Sequence, residues 1–196
     1  MSNQNPNPSF DTSNSKKRKR LSVKELCYIG IFTTVIAICA QILVPLPGGV
    51  PFTLQVTAIS LAGLIIGPKN GTIAVIIYII LGAVGAPVFH GFSGGLGVFM
   101  RPTGGFILSF PLVSLLAGLG EKRGIIQTYI GLIIGTALNL VCGMLYFAMI
   151  TGVSISAAFA TSVAPFLLSS TIVIIVLPII SKSIKSGLKK ARLLTS

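Results

Sequence analysis

A long stretch of this chain carries almost no charge, and that feature constrains the fold more than any other. Between Leu26 and Gly120 the sequence has only two charged side chains, Lys69 and Arg101, and no carboxylate. A soluble surface normally needs about a quarter of its residues to be charged. A segment this apolar is stable only in hydrocarbon, so we predict a polytopic membrane protein.

Six apolar runs, separated by turn-forming residues, divide the chain. A bilayer-spanning helix needs about 20 apolar residues. The runs cover residues 26–46, 52–67, 71–89, 103–120, 124–150 and 161–181. We therefore predict an all-α fold with six transmembrane helices over residues 24–185. Residues 1–23 are expected to form a disordered basic tail, and residues 186–196 a basic C-terminal tail.

The positions of the basic residues predict the orientation of the spans. These residues fall in the amino-terminal tail, the second loop, the fourth loop and the carboxyl-terminal tail, which six spans place on one side. The positive-inside rule makes that side cytoplasmic, so both termini are expected there. The same rule accounts for the net charge of +12 without a nucleic-acid partner. Arg101 is then the one charge expected on the outer side.

Three of the predicted helices begin on the outer side, and one of them follows Arg101 directly. Helix starts carry partial positive charge and unsatisfied N–H groups. Thr103 and Gly104 begin the fourth span, two to three residues after Arg101. Helix starts beside an isolated arginine predict a pocket for an anion at the outer face. An arginine that only reaches the membrane interface is the alternative.

A glycine-rich loop precedes Arg101. Four glycines, among them Gly94 and Gly95, lie within residues 90–97. Glycine permits positive φ and close backbone approach, so we expect this loop to fold over a ligand as a lid. His90 is expected to form hydrogen bonds within the loop, because the chain offers no partners for a metal site. Three phenylalanines are expected to supply apolar walls: Phe89, Phe92 and Phe99.

Few polar side chains lie within the apolar runs. Such groups bond to another helix or bind a ligand. Gln55 and Asn139 are the strongest candidates for a ligand, because an amide both donates and accepts hydrogen bonds; helix packing remains the alternative for each. Three hydroxyl-bearing residues complete the set of candidates: Thr53, Tyr146 and Ser170.

The sequence lacks the residues that catalysis or coupled transport would need. Its three carboxylates, Asp11, Glu25 and Glu121, all lie outside the apolar runs, so no intramembrane acid is present for proton or sodium coupling. We find no catalytic dyad, metal cluster or ATPase motif, and we expect no cofactor. The sequence predicts a binding unit that depends on a motor from elsewhere, rather than an enzyme.

Several motifs, in order along the chain, resemble the BioY family, the biotin-binding S components of energy-coupling factor (ECF) transporters of prokaryotic plasma membranes. The resemblance extends from about Leu26 to Phe166. Motifs in a fixed order are far more specific than any one of them alone. The matching segments are Pro51–Gln55, Ala62–Pro68, Leu81–Phe89, Gly94–Gly97 and Pro102–Phe106.

The resemblance implies a six-helix protein that captures biotin at the outer face. It also implies docking on a transmembrane T component that carries two cytoplasmic ATPases. The family's small-residue motif on the first helix, which faces the T component, falls on Gly30 and Thr34 here. Small residues at that spacing also suit packing within the bundle, which remains the alternative.

Two positions depart from the family pattern. Many members carry an Asp and a Lys that contact the ligand on the last helix, and these positions are Ser170 and Val173 here. A neutral hydroxyl then takes the place of the charges, or the ligand is a related vitamin or precursor. Arg101 is left as the sole cation for a carboxylate. A passive facilitator or channel for a small organic anion, with Arg101 at its mouth, is the alternative function.

Overall fold

The structure is a computed structural model, and it describes residues 21–44 and 50–190. Within these residues, all the α-helices except α5 are long and apolar enough to cross a membrane. The chain is therefore an all-α, multi-pass membrane protein, as predicted. The helices are α1 (Val23–Gln41), α2 (Gln55–Ala83), α3 (Gly104–Arg123), α4 (Ile125–Thr151), α5 (Ile155–Ser162) and α6 (Ala164–Lys190).

Helix α2 is a hairpin of two arms, residues 55–66 and 68–83. Gly67 between them has φ +85°, and Pro68 follows at a helix start, where its missing N–H costs nothing. The Gln55 side chain lies 2.8 Å from the Tyr78 hydroxyl. In a continuous helix those residues would be about 34 Å apart. The two arms are the predicted second and third spans.

The connection from α1 to α2 differs from the predicted one. Helix α1 ends at Gln41, five residues before the predicted end of the first span, and an antiparallel pair of strands follows. These are β1 (Leu43–Val44) and β2 (Phe52–Thr53). Val44 precedes a proline, which disfavours helical backbone there. The first arm of α2 is only about 18 Å long, so the extended residues 50–54 complete this path across the bundle.

The carboxyl-terminal part adds one element that was not predicted. Helix α4 ends at Gly152 in the left-handed conformation, and the short helix α5 then occupies most of the predicted break. Ser154 caps α5 by accepting from the Ala157 N–H at 3.3 Å. Helix α6 continues to Lys190, past the predicted end at residue 181. Residues 1–20 and 191–196, most of the predicted tails, lie outside the described residues.

Polar contacts bring the basic residues together at one end of the bundle, which we call the basic end. Asn70 donates to Glu25 across 3.4 Å, which joins the start of α1 to the turn of α2. Lys185 near the end of α6 pairs with Glu121 near the end of α3. The loops between the predicted third and fourth spans, and between the fifth and sixth, lie at the opposite end.

Candidate ligand-binding site

A cavity opens at the end opposite the basic end, where the first arm of α2, α3 and α6 all begin. The predicted convergence of three helix starts is therefore present. Its lining combines apolar and polar side chains from these helices, from α4 and from the loop before α3. The polar members are Thr53, Gln55, Thr57, His90, Thr103, Thr136, Asn139, Ser169 and Ser170.

Aromatic rings form the walls, but they are not the predicted ones. Phe52, Phe106, Phe110 and Phe166 line the cavity, and the Phe166 ring centroid lies 6.3 Å from that of Phe52. On α3, positions 103, 106, 107 and 110 recur at helical spacing, which brings them to one face. That periodicity was the signal from which the sequence analysis could have identified these walls.

The three predicted phenylalanines lie in or beside the loop before α3, outside the cavity lining. Phe89 is fully buried, with its ring edge-on to Tyr78 at 5.3 Å and to Phe99 at 5.8 Å. Phe92 is exposed, and it has positive φ. None of the three lines the cavity. Phe89 packs against Tyr78 of α2 instead, Phe99 packs against Phe89, and Phe92 points away from the packed part of the loop.

Both candidate amides line the cavity, and each uses its NH₂ group within the protein. Asn139 on α4 donates to the Phe106 carbonyl oxygen at 3.0 Å and to Ser109 Oγ at 2.7 Å. Gln55 donates to the Tyr78 hydroxyl, which donates in turn to the Val88 carbonyl oxygen. Neither amide oxygen accepts a hydrogen bond within the described residues. Two rigidly held acceptors therefore remain available to a ligand.

The hydroxyl candidates divide into two groups. Thr53, Thr103 and Ser170 line the cavity. Thr103, at the start of α3, is only 8% exposed, and its Oγ1 is buried with no hydrogen-bond partner. Tyr146 lies outside the lining, where its hydroxyl donates to the Phe99 carbonyl oxygen at 2.6 Å and supports the loop.

The predicted glycines and Arg101 also lie outside the lining. A Cβ on Gly94 would meet the Ala86 backbone, and one on Gly104 would meet the Phe99 backbone, so both allow close packing of the loop. Gly95 has φ +88°, a conformation that favours glycine. The Arg101 side chain is exposed beside the loop, with no salt bridge to any described residue.

His90 is the lining residue whose role the sequence analysis missed. Its backbone carbonyl accepts from Ser93 Oγ at 2.8 Å, but its ring makes no hydrogen bond within the described residues. Nε2 is buried. Burial lowers the pKa of His90, and the positive charge of Arg101 lowers it further, so the ring is neutral near pH 7.

The side chain of Gln41, the last residue of α1, holds the loop in place. Its Nε2 donates to the carbonyl oxygens of Val88 (3.3 Å) and Phe89 (3.1 Å). Its Oε1 accepts from the Phe92 N–H at 2.9 Å. The loop is thus attached to α1 as well as to α2.

A second predicted surface lies on α1, away from the cavity. Thr33 faces the bundle and donates to the Ala74 carbonyl oxygen of α2 at 3.1 Å. Its neighbour Thr34 is exposed and donates only to the Gly30 carbonyl oxygen of its own helix. A Cβ added to Gly30 would enter open space. Gly30 and Thr34 therefore do not pack within the bundle described here.

Comparison with known proteins places this architecture in a family. The family model for the BioY family matches residues 13–190. The chain belongs to the BioY family. The resemblance expected from the sequence motifs is confirmed, over nearly the whole membrane portion.

Relatives of known name agree with this membership. The chain is 41% identical over 147 residues to the probable biotin transporter BioY of Pyrococcus horikoshii, covering 75% of this chain and 87% of that one. It is 46% identical over 102 residues to the biotin transporter BioY of Thermotoga maritima, covering 52% and 60%. Members of the BioY family are transport proteins, so this chain is not an enzyme.

A solved structure resembles the whole bundle. It is the S component for biotin from an ECF-type ABC transporter, with a TM-score of 0.74 and 27% sequence identity. The match covers 84% of this chain and 92% of that one. The BioY assignment therefore holds for the fold as well as for the sequence.

Proposed function

We propose that this chain is a biotin-binding S component of an ECF-type vitamin importer. The observation that carries the proposal is the lining of the cavity, where aromatic walls surround two amide oxygens that accept no hydrogen bond from the described residues. Biotin combines an apolar fused ring and chain with a ureido group that has two N–H donors. Those donors match the free acceptors of Gln55 and Asn139, which are 3% exposed each.

The apolar part of the ligand fits the aromatic walls. Phe106 and Phe110 from α3 and Phe166 from α6 line the cavity, and the rings of Phe106 and Phe166 pack against each other with centroids 6.5 Å apart. Burial of an apolar ring between such walls contributes about 25 cal/mol per Å². Val173 adds to this apolar lining, and Ser170 presents a hydroxyl with no bond to a described residue.

The orientation follows from charge. Every described lysine lies toward the basic end, and the positive-inside rule makes that end cytoplasmic. The cavity then opens to the outside of the cell membrane, where it can capture a scarce vitamin. The protein has no ATPase motif of its own, so transport requires a partner motor.

We assign the docking of that motor, a T component with paired ATPases, to the exposed face of α1. Gly30 and Thr34 lie on this face, and neither contacts another helix. A smooth surface of this kind permits close approach of a second helix within the bilayer. The site for the partner and the site for the ligand are then on different surfaces of one helix bundle.

The test is equilibrium binding of radiolabelled biotin to the purified protein in detergent, because the chain has no tryptophan to report binding by fluorescence. We expect saturable binding of one biotin per chain at nanomolar concentration. Proteoliposomes that contain this chain alone should show no sustained biotin flux. Folded protein that fails to bind biotin would contradict the proposal, and unsaturable flux through the chain alone would favour a channel instead.

A further inference from the structure

Four buried side-chain polar atoms in the described residues have no hydrogen-bond partner there, and two of them belong to residues that line the ligand cavity. These two are Nε2 of His90 and Oγ1 of Thr103. Buried polar atoms in proteins are nearly always paired, because an unpaired one keeps its full desolvation cost. A polar group of the ligand would give both atoms the partner that the described part of the chain does not supply.

Both atoms belong to groups that can donate hydrogen bonds, and Thr103 stands at a helix start. Thr103 is the N-cap of α3, yet its side chain makes no capping bond. The Gly104 N–H donates to the Arg101 carbonyl oxygen at 2.8 Å, the N–H groups that follow have no cap from the Thr103 side chain, and the helix dipole places partial positive charge there. A hydroxyl, an imidazole N–H and a helix start together favour an acceptor with negative charge.

The ionisable groups around this corner agree with an anion. Among the described residues, the lining of the cavity contains no carboxylate, and His90 is its only ionisable side chain. The polar residues that share the lining with it are neutral: Thr53 from β2, Thr103 at the start of α3, Asn139 from α4 and Ser170 from α6. Arg101 is the charged group among the described residues that lowers the pKa of the ring.

We propose that His90 and Thr103, at the start of α3, bind the carboxylate of the ligand. This subsite rests on the proposed function and deepens it, because it fixes the orientation of biotin. The ureido group lies against Gln55 and Asn139, and the valerate carboxylate lies at the His90 corner. The positive charge of Arg101 attracts the carboxylate from outside the cavity, without contacting it.

The subsite makes binding depend on pH. The ring is neutral without ligand, because burial and Arg101 both lower the pKa of His90. A bound carboxylate favours the protonated ring and so raises that pKa. Binding therefore takes up a proton between the two pKa values, and affinity rises as the pH falls through this window. One proton gives at most a tenfold change per pH unit.

The experiment compares biotin with biotinamide, its neutral analogue, by competition against labelled biotin between pH 5.5 and 8. Wild-type protein should prefer biotin by about tenfold or more, and only the affinity for biotin should increase as the pH falls. His90→Gln and Thr103→Val should each remove most of this preference, and His90→Gln should also remove the pH dependence. Leu96→Ala, an exposed position on the same loop, is the matched control and should change nothing.

The outcomes separate this assignment from the proposed function. Biotin and biotinamide bound equally tightly by the wild type at every pH would overturn the carboxylate subsite and leave biotin binding intact. Discrimination and pH dependence that survive in a folded His90→Gln protein would overturn the role of His90. Folded wild-type protein that binds neither compound would overturn the proposed function, and the subsite with it.

Discussion

The two ends of the bundle are built in opposite ways. Toward the basic end the helices touch through their backbones: a Cβ on Gly63 of α2 would meet the Ser114 carbonyl of α3, and one on Gly118 would meet Pro68. Toward the cavity end the same helices are separated by the rings of Phe106 and Phe110. Helix α3 contributes to both, with Gly118 and Gly120 in its second half and Phe106 and Phe110 in its first.

Because of this difference, we expect the stability of the fold and the affinity for the ligand to depend on different ends of the bundle. Close backbone approach supplies the van der Waals contacts that hold helices together in lipid, where hydrophobic attraction between them is absent. Bulky side chains keep the helix starts apart and leave a space that only a ligand fills. We therefore expect substitutions at the basic end to alter folding, and substitutions at the cavity end to alter affinity.

The largest expected effect is on folding. Gly63→Leu places a side chain against the backbone of α3, where no flexible group can move aside, and should destabilise the protein by about 3 kcal/mol or more. Thermal unfolding in detergent measures this loss. The control is Gly30→Leu, which adds the same side chain in open space. Equal melting temperatures for the two variants would contradict the comparison.

The next effect is on affinity. Asn139→Ala removes an acceptor for the ligand and the contacts to Phe106 and Ser109, so biotin affinity should fall roughly thirtyfold, about 2 kcal/mol. Asn70→Ala removes an amide at the basic end, where it bonds Glu25, and is the matched control. It should leave affinity unchanged. A similar loss of affinity in both variants would show that the amide acts through the fold.

Biotin uptake tests the proposed docking face on α1, which belongs to neither end of the bundle. Gly30→Leu should reduce biotin uptake by about tenfold in a reconstituted complex, because a large side chain prevents close approach of the partner helix. Binding of biotin to the isolated variant should be unchanged. Normal uptake by the variant would remove α1 from the docking surface.

The smallest effect concerns Arg101. The sequence alone predicts that Arg101→Ala weakens binding at least tenfold. The exposed position of the side chain, outside the lining, reduces our expectation to about threefold, and salt should diminish it further. Lys69→Ala at the basic end is the control. A salt-independent tenfold loss would show that Arg101 contacts the ligand directly.

Features with a strong periodicity could be predicted from the sequence. The apolar runs, the turn near Pro68 and the gathering of lysines at one end follow from composition and spacing alone. Gln55 and Asn139 could be selected because amides are rare in such runs. The end of α1 was placed too late, since apolar residues continue into β1 while the pairing partner of β1 lies farther along the chain.

The loop before α3 could not be predicted in the same way. Its residues have no repeating pattern, so the direction of each side chain depends on contacts with distant elements. Phe89 turns toward Tyr78, whereas the neighbouring His90 turns into the cavity. Arg101 shares this ambiguity. Its position before a helix start was visible in the sequence, but its exposure depends on how the loop folds.

The three hydrogen bonds that join Gln41 to the loop have a mechanical consequence. Helix α1 carries the proposed docking face, and the side chain of Gln41, its last residue, forms hydrogen bonds with the backbone on both sides of His90. A shift of α1 against α2 must break these bonds or draw the loop along with it. The loop beside the proposed ligand site is thus bonded to the helix that carries the proposed docking face, so a movement at one surface would be transmitted to the other.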